Sequence, residues 1–254
     1  MSGGRARRWL GLSLTAATLV ALFAAPAGAA MKPRARAFRG MAAVGALFMR
    51  GTNGALRRHF CSATVVNSPG GDLVVTAAHC LDGRPPSRVA FVPGYADGRE
   101  PYGVWLVRKV IRDKNWTSKA DPDHDVAFLI VAQPGDKRTL QSLTGGEGLS
   151  IPEPGEQVLT IGYPDSRGQP VRCVNALRAF GPGQVEFDCG GYTDGTSGGP
   201  LLTDVDSRTG LGEVVGVIGG YEQGGYTDSV SYAARFGHQV AALYHSVTHH
   251  PRQA

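Results

Sequence analysis

Twelve short apolar runs, six on either side of a Gly-, Pro- and polar-rich stretch at 133–156, constrain this chain more than any other feature. The first set covers 44–49, 60–66, 73–76, 89–92, 104–111 and 126–131. The second covers 157–163, 171–177, 184–188, 200–204, 213–218 and 230–233. Turn signals such as Gly51-Thr52-Asn53-Gly54 and Ser68-Pro69-Gly70-Gly71 separate them. Short runs between turns predict an all-β barrel or sandwich, with the stretch at 133–156 joining two halves. The run at 126–131 is apolar throughout, as a strand buried on both faces would be. Only the end departs from this pattern. Phe236, Val240, Leu243, Tyr244 and Val247 fall on one stripe at three- and four-residue spacing, which predicts a C-terminal helix. His249 and His250 then trail into a solvated tail.

The first thirty residues read as an export signal rather than as part of the fold. Arg5, Arg7 and Arg8 form a basic start, 9–25 carries no charge, and Ala27-Gly28-Ala29 offers a small-residue cleavage site. The apolar run is short for a membrane span, so no membrane partner is expected after cleavage. Residues 31–42 are basic and poor in core side chains, and are expected to be a pro-segment or a flexible N-terminus. The formal charge of +5 falls to about +2 without the three signal arginines, which argues against a nucleic-acid partner.

Cys61, Cys80, Cys173 and Cys189 are an even, small set in an exported chain, which favours disulfides. No Cys-x-x-Cys spacing supports a metal site. Asp121, Asp123 and Asp125 lack the Gly and the terminal Glu of a calcium loop. Asn115-Trp116-Thr117 fits a glycosylation sequon, a match frequent by chance. No metal or cofactor is expected.

The stretch that carries chemistry is Gly195-Thr196-Ser197-Gly198-Gly199-Pro200. Glycines on both sides of Ser197 let the backbone turn tightly, expose the hydroxyl and aim amide N–H groups at one spot. Acyl transfer needs that arrangement, because a serine oxygen attacks a carbonyl and N–H groups hold the resulting oxyanion. Two upstream stretches supply partners. Thr76-Ala77-Ala78-His79-Cys80 puts a histidine just past an apolar run, and Asp125 stands at the mouth of the most apolar run. A lone histidine or aspartate would be read as structural. Together they fit a nucleophile, its base and the acid that orients the base.

Residues 76–80, 125–129 and 195–200 resemble the three signature stretches of the chymotrypsin/trypsin-like serine peptidases, in matching order and spacing. The wording of 44–48, 162–164 and 195–200 is most similar to the bacterial secreted branch that includes the glutamyl endopeptidases. The resemblance covers roughly residues 43–245. It implies two packed six-stranded antiparallel β-barrels with a C-terminal helix and an active site in the cleft between barrels. The expected division is 1–30 signal peptide, 31–42 basic segment, 43–140 N-terminal barrel, 141–155 connector, 156–235 C-terminal barrel, 236–248 helix and 249–254 tail. The implied activity is secreted serine endopeptidase, monomeric, acting on protein or peptide substrates. Ser197 would be the nucleophile, His79 the base and acid, Asp125 its orienter, and the N–H groups of Gly195 and Ser197 the oxyanion hole.

The family commonly bridges the positions of Cys61 and Cys80, so the expected disulfides are 61–80 and 173–189. In many family members an aspartate precedes the nucleophile and pairs with a newly cut N-terminal ammonium. Thr196 stands there in this chain, so that activation is not expected, and chains beginning anywhere between Ala30 and Met41 should be similarly active. The resemblance places Gly191, Tyr192, Ile218, Gly219, Gly220 and Tyr221 around the primary substrate pocket. The acid that would bind Arg or Lys is replaced by Gly191. The hydroxyl residue and histidine associated with glutamate recognition are replaced by Tyr192 and Ile218. Cleavage after an uncharged, small or apolar residue is therefore expected, with Glu222 and Asp228 the acids able to shift it toward Arg or Lys.

Two other readings compete. An inactive binding module on the same fold would usually lose a triad residue or an oxyanion glycine, and none is lost. An α/β-hydrolase also uses Gly-x-Ser-x-Gly, which 195–199 satisfies, but needs the order Ser, Asp, His and alternating helices.

Overall fold

The computed structural model describes Met1 and residues 33–249. The expected export signal (1–30) and tail (249–254) lie outside the described residues, save for Met1 and His249. The compact unit Lys32–Ala254 contains all the elements below. It opens with a two-residue strand, β1 (Arg36–Ala37). The first barrel follows as β2 (Val44–Arg50), β3 (Leu56–Val65), β4 (Leu73–Thr76), β5 (Val89–Pro93), β6 (Trp105–Arg112) and β7 (Ala127–Ala132). These six strands close in the order β2-β3-β4-β7-β6-β5. A short helix, α1 (Lys114–Lys119), lies between β6 and β7, with Asp113 capping it by accepting from Asn115 N.

The pairing of β4 with β7 builds half of the site. Both strands are rich in β-branched and large apolar residues, and β4 (Leu-Val-Val-Thr) is buried at every position. They run antiparallel with Val75 opposite Phe128 and Thr76 opposite Ala127. Residues just after Thr76 therefore lie beside residues just before Ala127. That register alone brings His79 next to Asp125.

The stretch between the halves is not structureless. It forms a helix, α2 (Leu140–Thr144), capped by Thr139, and a strand, β8 (Gly148–Leu149). Leu140, Thr144 and Glu147 are buried there. The expected connector at 141–155 is thus partly built into the body, and α2 crosses its expected boundary with the first barrel. Its buried anchors are few, so its composition is polar.

The second barrel comprises β9 (Gln157–Gly162), β10 (Val171–Phe180), β11 (Gln184–Asp188), β12 (Pro200–Thr203), β13 (Glu213–Val217) and β14 (Val230–Ala234). Its order is β14-β11-β10-β9-β12-β13. The ring is closed by an Ile218–Ala233 bridge and by Gly219 N, which donates to the Tyr232 carbonyl at 2.9 Å. Its six strands pair antiparallel as expected. The sheet is larger than that, because β8 adds to β13 in parallel and β1 adds to β10. So residues 33–40 are not a free tail. Ala37 sits opposite Val171 and Phe38 N donates to the Pro170 carbonyl.

The chain ends on α3 (His238–Thr248), which starts after Gly237, two residues later than the apolar stripe begins. Val240 is buried, and Leu243, Tyr244 and Val247 pack against the main core. The Tyr244 hydroxyl donates to the Asn67 carbonyl at 2.6 Å. Among the described residues no helix is long and apolar enough to cross a membrane. Both disulfides form, Cys61–Cys80 in the first barrel and Cys173–Cys189 in the second.

Candidate active site

Asp125 is completely buried, and its carboxylate is held on both oxygens. Oδ1 accepts from the His79 backbone N–H at 2.8 Å. Oδ2 lies 2.7 Å from His79 Nδ1 and also accepts from Gly220 N at 2.7 Å. This places the Nδ1 proton toward Asp125 and leaves Nε2 as the ring's outer nitrogen. The Cys61–Cys80 bridge anchors the residue next to His79 to β3.

The second barrel supplies the Gly-rich loop at 195–199, and the first barrel holds it in place. Ser62, buried on β3, donates from its backbone N to the Ser197 carbonyl at 2.7 Å. Its hydroxyl donates to the Gly195 carbonyl at 3.0 Å and accepts from Tyr163 N at 2.8 Å. Thr76 Oγ1 donates to the Ser62 carbonyl at 2.8 Å. The approach is close enough that a Cβ on Gly198 would run into Thr76 Oγ1 and the Ser62 carbonyl, so glycine is required there. Thr76 opens the stretch 76–80, while Ser62 belongs to no motif. A small hydroxyl residue inside an apolar strand was the one signal available.

Thr196 closes the loop locally. Its N and its Oγ1 both donate to the Thr193 carbonyl, at 3.1 and 2.8 Å. The loop thus has an internal tie at the position where an ion pair would otherwise stand. Among the described residues, the backbone N–H groups of Thr196, Gly198 and Gly199 all have acceptors, while those of Gly195 and Ser197 have none. Two unspent donors therefore stand at Ser197 and two residues before it.

The Ser197 hydroxyl donates to the Gln223 carbonyl at 3.3 Å, and among the described residues no hydrogen bond joins it to His79. Gln223 and Glu222 both have left-handed backbones, with φ of 54° and 49°, uncommon for side-chain-bearing residues. The segment is held at Tyr221, whose N donates to Gln184 Oε1, while Gln184 Nε2 donates to Asp123. Asp123 is thereby engaged in positioning this loop, and Asp121 caps the turn before it. Asp121, Asp123 and Asp125 thus serve three separate partners.

A cleft of about 430 Å³ opens at Ser197, lined by Thr193, Asp194, Thr196, Ile218, Gln223 and Tyr226. Asp165, Asp228 and Ser231 also line it. Of the six residues expected around the substrate pocket, Tyr192 and Ile218 line this cleft. The Tyr192 hydroxyl points away, donating to the Thr160 carbonyl at 2.7 Å. Tyr221 instead packs against Phe180 in a tilted contact and against Tyr232 edge to face, both at 5.1 Å. Gly220 and Gly219 lie against Asp125, and Gly191 faces Ala35.

A family profile described as the trypsin-like peptidase domain matches residues 61–217. The chain belongs to that family. It is a serine endopeptidase, a hydrolase of peptide bonds. Among solved structures, the protease Anisep from Arthrobacter nicotinovorans is similar with a TM-score of 0.71 at 22% identity, over 85% of this chain and 100% of that one. A thermostable serine protease, AL20, from an extremophilic microorganism gives 0.68 at 26% identity, over 83% and 98%. A Glu endopeptidase in complex with MPD gives 0.64 at 13% identity, over 87% and 99%. No curated protein matches the chain. In this peptidase the segments 76–80 and 125–129 stand on the first barrel and 195–200 on the second, so the site draws on both.

Proposed function

We propose that this peptidase cleaves protein or peptide substrates through an acyl-enzyme on Ser197. The observation that carries the reading is the buried Asp125 carboxylate bonded twice to His79, in a fold where the Gly220–Gln223 segment links Asp125 to Ser197. The Ser197 hydroxyl first turns from the Gln223 carbonyl to His79 Nε2. His79 takes the proton as Oγ attacks the scissile carbonyl, and Asp125 stabilises the imidazolium without itself taking a proton. The N–H groups of Gly195 and Ser197 hold the oxyanion. His79 then protonates the leaving amine, and water, activated by the same imidazole, releases the acyl group.

The reading extends to location and specificity. The basic start, apolar run and Ala27-Gly28-Ala29 site support export, and two disulfides fit an oxidising compartment. A monomer suffices, since both halves of the site come from one chain. The acyl-side residue is uncharged, because the cleft offers no buried countercharge to a desolvated side chain. Labelling by a fluorophosphonate tests the nucleophile: the wild type should be modified on Ser197 and Ser197→Ala should not. Cleavage-site profiling on a peptide library tests the activity, and a labelled protein that cleaves no peptide would sink the endopeptidase reading.

A further inference from the structure

Residues 33–38 form backbone bonds with the segment that leads into the nucleophile loop. Gly190 N donates to the Pro33 carbonyl at 2.9 Å, and Ala35 N donates to the Gly190 carbonyl at 2.7 Å. Farther along, Phe38 N donates to the Pro170 carbonyl at 3.1 Å, and the Arg172 guanidinium sits 5.1 Å over the Phe38 ring. On the opposite side of the same segment, Gly191 N and Tyr192 N both donate to the Asp228 carbonyl, at 2.7 and 3.1 Å. The chain at 190–192 is thus held between two backbone partners, one of them N-terminal.

That matters because of what the segment is. Gly190 and Gly191 are adjacent glycines, with no side chains to pack and the widest backbone freedom of any pair. Gly191 has φ of 103°, and a Cβ there would meet the Ala35 side chain at 3.5 Å. Upstream the chain is fixed by the Cys173–Cys189 disulfide, and downstream by the Tyr192 hydroxyl. Between those anchors only hydrogen bonds set the path, and both that Gly190 makes go to residues 33–35. Tyr192, Thr193 and Asp194, which line the cleft, follow directly.

We propose that residues 33–38 are a positioning strap for the substrate cleft and are retained in the working enzyme. The proposal rests on the endopeptidase reading and replaces the expectation that any start between Ala30 and Met41 would serve. The strap acts on substrate binding rather than on the nucleophile, because the Ser197 loop has its own ties through Ser62 and Thr193.

The test compares the full chain with Ala35→Pro, which removes the N–H given to Gly190. KM for a peptide substrate should rise tenfold or more, with kcat and the rate of Ser197 labelling by a small fluorophosphonate each within twofold of wild type. If Ala35→Pro does not fold, Phe38→Ala, which keeps every backbone N–H but removes the ring under Arg172, should raise KM severalfold with the same split. A folded variant with unchanged KM would overturn the strap, and so would one in which labelling falls as far as kcat/KM. A wild type that neither labels nor cleaves overturns the endopeptidase reading, and this proposal with it.

Discussion

Asp125 holds His79 at two points, accepting from the backbone N through Oδ1 and facing ring Nδ1 with Oδ2, 2.7 Å away. One contact fixes where the histidine sits and the other fixes how its ring is turned and protonated. Asp125→Asn should keep the first and spoil the second. A neutral amide favours the wrong tautomer, and in the well-studied triad this costs about 10⁴ in kcat. We expect a loss of that order, with the unfolding temperature changed far less than by removing a core side chain. Steady-state kinetics and thermal unfolding of the variant check both halves.

Ser197→Ala, His79→Ala and the double variant should all fall to a similar residual rate. In the proposed mechanism the residues work as one unit, so losing either removes the shared step. The residual rate should stay above the uncatalysed one, because the Gly195 and Ser197 N–H groups remain. Additive losses in the double variant would mean that the two act separately.

The strand register explains why so much of this site could be read without coordinates. Apolar runs at 73–76 and 126–131 are strong signals, and pairing them puts His79 beside Asp125. The Gly-rich loop is equally plain, since Gly198 is required by the approach of Ser62 and Thr76. What stayed hidden depends on contacts far apart in sequence. Ser62 reaches Tyr163 and Gly195 across the two barrels, and a basic tail of unremarkable composition gains order by adding β1 to β10. Backbone pairing of that kind leaves almost no trace in side-chain pattern.

Opening the Cys61–Cys80 bridge with Cys61→Ala and Cys80→Ala should cost stability and activity together. The two residues are 19 apart in sequence, and closing such a loop is worth about 3 kcal/mol in the chain-entropy model. Cys80 adjoins His79, so kcat should also fall. Denaturant unfolding gives the first number and steady-state kinetics the second. A stability loss with wild-type kcat would show that the barrel alone positions the histidine.

Glu147 predicts an unusual pH dependence of stability. Its carboxyl is fully buried, accepts from Gly212 N through Oε2, and among the described residues has no partner for Oε1. Burial pushes it up from the ordinary 4.5 to about 7, against the Gly212 bond and helped by the charge of Glu213. Between those two pH values the folded protein keeps a proton that the unfolded chain has lost. Stability from this group is therefore complete below pH 4.5 and declines as pH rises to 7, by at most about 3 kcal/mol. Glu147→Gln should abolish that decline. His59 slopes the other way, since burial lowers its pKa and stability is lost as acid protonates the unfolded chain. The quantity to measure is thus the difference between wild type and Glu147→Gln, by denaturant unfolding at pH 5 and pH 7.5. A difference that does not change with pH would contradict the account.

The last prediction concerns what enters the cleft. Asp165, Asp194 and Asp228 line it, so an acidic side chain meets only like charge and should be excluded. These acids do not make an Arg or Lys pocket either. Asp165 is paired with Arg58 at 2.5 Å, while Asp194 and Asp228 are exposed. Exposed ion pairs are worth about 1 kcal/mol or less, too little to dominate selection. Glu222, the other acid considered from sequence, lies outside the lining residues. Ile218 and buried Ser231 leave a lining suited to a small or apolar side chain. A peptide-library profile should therefore show uncharged residues on the acyl side, and Asp228→Asn should leave that ranking unchanged. A profile led by Arg or Lys that collapses in Asp228→Asn would assign that acid the selecting role and refute the prediction.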